Sequence, residues 1–237
     1  MVELAASVMA ARLAAATARG PVSTPAEANV PTLSAPVVQV MHDRDATTRL
    51  SRSWAVPGLL SDDAVPLAVA AQVLGGLASS RLDNQLVRDE QVAVQVSSSM
   101  QDFHRVGFFD ISVNVKPGQD AAEVGRRLDA IVADFIANGP TDEEVARVAT
   151  QYVSRQIQSL EQVNGKANVL AEGQLYTGDP DHYKKELAAY ASVTPAQVRD
   201  AMQRWLTRPV YDLTVVPGER EAYAEAAASP SGAAPVA

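Results

Sequence analysis

The chain has 237 residues, 47% of them hydrophobic and 20% charged, and a formal net charge of -8. That composition is globular and the length suits one main domain with tails, while the acidic balance argues against a nucleic-acid backbone or an anionic membrane as the main partner, because either calls for a basic face. No cysteine is present, so disulfides, thiolate metal sites and a cysteine nucleophile are excluded.

Residues 1–20 are Ala-rich, but Glu3 and Arg12 interrupt them and no basic region precedes the apolar part, so they read as a helix of a preceding domain or linker rather than a signal peptide. Four prolines between Pro21 and Pro36 favour an extended linker over residues 21–36. The domain proper is expected over residues 37–219, followed by an Ala-, Ser- and Pro-rich tail at 220–237 that reads as disordered. No run of roughly 18 apolar residues is long enough to span a bilayer.

Within the domain, "VVQVM" and "TRLSRSWAV" have strand patterning, and Leu50, Trp54 and Val56 of the second share one face. Ser61 is the expected N-cap of a helix from about Asp62 to Gly75. A second short helix, capped by Ser79 or Ser80, carries Leu82 and Leu86 on one face and ends at Arg88. "QVAVQVSSSM" and "VGFFDISVNVK" alternate with period two and form a predicted antiparallel hairpin.

Helical patterning dominates the remainder. One amphipathic helix stops at Asn138-Gly139, and Thr141 with Glu144 forms a capping box that starts the next. Further helical stretches follow, Thr194-Pro195 opens the last helix, and "PVYDLTVVPG" reads as a closing strand. The expected architecture is α+β: a two-layer sandwich whose antiparallel-rich sheet is covered by helices on one face.

Candidate chemistry is sparse. His42, His104 and His182 are far apart in sequence, and His182 with Glu186 at i, i+4 supplies too few ligands for a metal. "SSRL" and "VSSSM" lack a Gly-x-Ser-x-Gly elbow, and "LGGLASS" lacks the Gly-Lys-Ser/Thr ending of a phosphate loop. The acids of "GPTDEEVARV" complement a helix dipole rather than form a catalytic pair. Gly75, Gly76, Ser79, Ser80 and Arg81 read as a structural corner: the glycines permit backbone angles and a close approach that a Cβ forbids, and a serine caps the helix that aims Arg88.

One longer stretch, "AAQVLGGLASSRLDNQLVRDEQVAVQVSSS", together with "FIANGPTDEEVARV" and "PVYDLTVVPG", resembles the second, non-zinc half of a module in the pitrilysin/insulinase family of zinc metallopeptidases, which includes the mitochondrial processing peptidases. Family enzymes bind zinc in a first domain through an inverted His-x-x-Glu-His motif, which is absent here, and a related domain closes over it. The resemblance therefore implies a chain inactive alone, with no cofactor of its own. Zinc would belong to a partner domain of the same or another polypeptide, and a peptide or unfolded protein would be the substrate. It also implies that Arg88 holds substrate, while Gln95 stands where active relatives carry a tyrosine. Glutamine donates a hydrogen bond but cannot serve as a phenolic acid. A purely structural assembly subunit is the alternative. Homodimerisation, and a periplasmic or cytoplasmic setting in a bacterium, are left open.

Overall fold

A computed structural model describes residues 29–219. The expected first helix, the start of the linker and the expected tail lie outside the described residues. Residues 29–36 carry no helix or strand, and Val37 opens the first strand.

Five strands make one sheet: β1 (Val37–Asp43), β2 (Arg49–Pro57), β3 (Ala93–Asp102), β4 (Val106–Val115) and β5 (Tyr211–Pro217). Their spatial order is β1-β5-β2-β4-β3; only β1 and β5 run parallel. Strict alternation gives the sheet two unlike faces. Leu50, Trp54 and Val56 of β2 and Phe109, Ile111, Val113 and Val115 of β4 are buried under the helices. Across the pair, Trp54 opposes Phe109 and their rings meet edge to face at 6.2 Å. On the other face, Gln95, Ser97 and Ser99 of β3 oppose Asn114, Ser112 and Asp110 of β4. The expected sandwich, antiparallel-rich and covered on one face, is therefore the observed one.

Arg52 places a charge on this apolar face. It shares the inner face with Leu50 and Trp54, yet it is only 6% exposed. Its guanidinium reaches Asp129 at 2.9 Å and Asp212 at 2.5 Å, so the buried charge is compensated from a helix and from β5.

The helical layer begins with α1 (Ala64–Ala71), which is buried on almost every side and continues into a π-helical turn, Gln72–Gly76. Ser61 is not its cap: it lies two residues before the cap position, and its hydroxyl accepts from the Asp63 amide at 3.2 Å. Asp63 occupies the cap position, but its carboxylate is turned to Trp205 Nε1 at 2.7 Å and to the Arg204 guanidinium. After the corner comes α2 (Asp83–Asp89), also π-helical, with Leu82 and Leu86 fully buried.

The remaining helices are α3 (Ala121–Asn138), α4 (Asp142–Glu161), α5 (Val163–Thr177), α6 (His182–Ser192) and α7 (Pro195–Trp205). Their ends follow the expected chemistry. Gly139, at φ 74°, ends α3 in a conformation that side chains rarely adopt. Thr141 and Glu144 close a capping box on α4, and Thr194 and Gln197 close another on α7.

Candidate functional site

The short helix α2 is placed by its apolar side, which fits under β3, and by the corner that precedes it. At that corner the two glycines differ. A Cβ on Gly75 would lie 2.6 Å from the Ser98 amide nitrogen and 2.9 Å from the Ser97 carbonyl carbon, so the helix lies directly on the β3 backbone. A Cβ on Gly76 would meet only the end of the Gln72 side chain. Neither glycine has a positive φ. The corner therefore depends on close approach at Gly75, and the expectation of special backbone angles is corrected.

Ser80 lies at the start of α2, where its carbonyl accepts from the Asn84 amide at 3.0 Å and its hydroxyl from the Asp83 amide at 3.4 Å. Ser79 serves differently, accepting from Arg147 Nη1 at 3.2 Å. Arg81 donates to both oxygens of Glu144 at 2.9 and 2.8 Å and to the Gly139 carbonyl at 3.1 Å, and it lies over the Phe135 ring. It clamps the start of α2 to the α3–α4 turn. Burial by itself would raise the Glu144 carboxyl, but bonds from Arg81 and the Thr141 backbone outweigh it and hold the group below its ordinary value.

Arg88 stands in the last turn of α2. Its Nε donates to Asp83 at 2.7 Å, and its Nη2 to the Ala78 carbonyl. Asp83 and Arg88 are five residues apart, the spacing that a π turn brings into line. The side chain is still 56% exposed, and it borders an open groove whose other walls are Leu77 to Ser79 and the α4 residues Arg147 and Thr150. This cation is held in place without being covered, the condition for meeting a carbonyl or carboxylate.

Gln95 lies nearby in sequence but on the opposite side of the sheet. A β-bulge between Ala93 and Gln95 absorbs Val94, so that Ala93 faces the core while Gln95 opposes Asn114 on the open face. Its amide oxygen lies 3.5 Å from Asn114 Nδ2. No hydrogen bond joins Arg88 to Gln95 among the described residues. They flank the start of β3, which is an edge strand with free backbone groups along one side.

The histidines do not converge. His104 in the β3–β4 turn stacks on Tyr176 of α5, and His182 opens α6 beside the same cavity. Glu186, four residues after His182, accepts a 2.6 Å bond from the Tyr152 hydroxyl. Among the described residues, no group of three or more His, Asp or Glu side chains could hold a metal ion. Nor is any described helix long and apolar enough to cross a membrane. The bulge and the first π turn had no sequence signal, whereas the Asp83–Arg88 spacing is one for the second π turn.

Residues 2–152 match the family model described as the peptidase M16 inactive domain. A Streptomyces coelicolor protein named an uncharacterized zinc protease is 30% identical over 149 residues, a stretch covering 61% of this chain and 32% of the relative. Among solved structures, a protease from Helicobacter pylori superposes with a TM-score of 0.78 at 16% identity, over 89% of this chain and 51% of that one. A structure from Pseudomonas fluorescens, titled as a peptidase M16 inactive domain, gives 0.73 at 18% identity, over 93% and 52%. The chain thus spans about a third of the curated relative and about half of these two structures.

Proposed function

Because the chain belongs to the peptidase M16 inactive-domain family, we propose that it is the covering half of a zinc metalloendopeptidase module. It closes a chamber and holds extended peptide opposite a zinc-bearing H-x-x-E-H domain, which lies in the same or a partner polypeptide. Hydrolysis, with the metal and its activated water, belongs to that partner. The observation that carries the reading is Arg88: its guanidinium is fixed by Asp83 and Ala78 at the rim of an open groove, beside the start of edge strand β3. An edge strand gives an extended peptide main-chain partners, and a fixed guanidinium gives it a directional anchor.

Gln95 favours a second reading, an assembly subunit without proteolysis, because its amide supplies no phenolic acid and stands opposite Asn114. Kinetics on the chain combined with an H-x-x-E-H domain separate the two. A substrate-holding Arg88 requires Arg88→Ala to lower kcat/KM by roughly tenfold or more, with Arg88→Lys recovering only part of the loss. Cleavage indifferent to both substitutions removes Arg88 from the site, and absence of cleavage in the wild-type mixture favours the assembly role.

A further inference from the structure

A second concavity is remote from Arg88. It has a volume of about 790 Å³ and lies between the β3–β4 turn and helices α1, α5 and α6. Gln95 and Asp102 are near opposite ends of β3, some ~23 Å apart along the strand. This cavity stands apart from the groove of the proposed peptide-holding site and does not rest on that reading.

Its lining has an unusual balance. Four carboxylates, Asp62, Asp102, Glu172 and Glu186, face it with a single lysine, Lys185, which is already paired with Asp179 at 3.1 Å. One aromatic stack forms part of the wall, His104 on Tyr176, with ring centroids 5.3 Å apart and 28° between planes; Tyr190 also lines it and is backed by Tyr152 at 3.5 Å and 11°. Glu186 is fixed by the Tyr152 hydroxyl through one oxygen, Oε1.

A carboxylate cluster alone would be an ordinary solvated surface. Tyr190 makes this one different. It is only 8% exposed and lines the cavity, yet its hydroxyl has no hydrogen-bond partner among the described residues and is not sealed from the cavity space. A nearly buried polar group facing a cavity without a protein partner is aimed at something else. Burial first, and then the charges of Glu186 and Asp102, push its phenol well above the ordinary value, with Arg155 opposing; the hydroxyl therefore stays neutral. Asp102 has much exposed surface, yet its carboxyl loses water against the cavity wall and is also raised.

We infer that this cavity binds a guanidinium group, with Glu186 and Asp102 accepting its N–H donors, the Tyr190 oxygen accepting another, and the His104–Tyr176 stack offering an aromatic face to its plane. A planar cation suits the site better than an ammonium, because it combines several in-plane donors with a face that stacks on aromatic rings. The group can reach the site as a small free guanidine or as an arginine side chain of a peptide.

Calorimetric titration of the full chain tests this with three probes: L-argininamide, a blocked Gly-Arg-Gly peptide, and the same peptide with neutral citrulline for arginine. Saturable binding of argininamide or the arginine peptide is expected, with the citrulline peptide weaker by roughly tenfold or more. Glu186→Gln, which can keep the Tyr152 bond, should weaken binding similarly, and Tyr190→Phe, which keeps the stack, by a smaller factor; circular dichroism checks that both variants fold. Equal affinity for argininamide and the peptide marks a free small-molecule ligand, and tighter peptide binding marks a side chain. No saturable binding, equal binding of the citrulline peptide, or full affinity in Glu186→Gln would overturn the proposal.

Discussion

Single side chains decide where α2 sits, and they do so unequally. Gly75→Ala places a carbon against the Ser97–Ser98 backbone, which cannot yield without moving the strand. It is expected to destabilise the fold by about 1–3 kcal/mol. Gly76→Ala meets only the flexible Gln72 side chain and should stay within about 1 kcal/mol of wild type. Urea unfolding of the pair measures the difference, and equal losses would refute the close-approach account of the corner. The two arginines of the block differ likewise. Arg81, part-buried and bidentate to Glu144, is expected to cost about 2–3 kcal/mol as Arg81→Ala, because Glu144 loses its partner. Arg88 is exposed, so Arg88→Ala should cost less than about 1 kcal/mol. Glu144 and Asp63 both titrate below their ordinary values of 4.5 and 3.8; burial pushes each upward, and their arginine bonds and other donors prevail. A carboxylate depressed in the fold stabilises fully above its ordinary value and loses that contribution as pH falls through the lowered one. Thermal unfolding should therefore be flat in this contribution above about pH 5 and fall below about pH 4, and Arg81→Ala should shrink the fall.

Among the elements, those fixed by local chemistry were the ones readable in sequence. The two capping boxes, the glycine that ends α3, and the alternation of β3 and β4 each depend on residues within a few positions of one another. What escaped reading is set by distant partners. The π turn before Gly76 exists where α1 lies against β3, and the bulge at Val94 appears only once Ala93 and Gln95 must satisfy opposite faces. Arg52 reads as a polar residue on an apolar face until Asp129 and Asp212, 77 and 160 residues away, supply its charge partners. Uneven burial has a dynamic consequence. In α5 only Gly173 is buried, and Val163 and Leu175 are exposed, whereas α1 and β4 lie in the core. Hydrogen exchange should show α5 amides opening at a small fraction of the global free energy, with β4 and α1 exchanging last. Uniform protection across the helical layer would contradict this.

For the whole molecule, composition and motifs alone led to a folded domain without an evident catalytic set. Order of elements and the Gly-Ser-Arg block carried the family resemblance, and in the structure one residue of that block, Gly75, packs on the β3 backbone. Function was legible only in part. Arg88 could be singled out, whereas the cavity beneath the β3–β4 turn assembles Asp102, Glu186 and Tyr190 from two distant elements with no common motif. The most direct test of the covering-half role is cleavage of a quenched fluorescent peptide library by the purified chain, supplied with zinc, alone and mixed with an H-x-x-E-H domain from the same genome, with the chain's own zinc content measured in parallel. A covering half gives no cleavage and no stoichiometric zinc alone, and gives cleavage in the mixture. Stoichiometric zinc with cleavage by the isolated chain would contradict it.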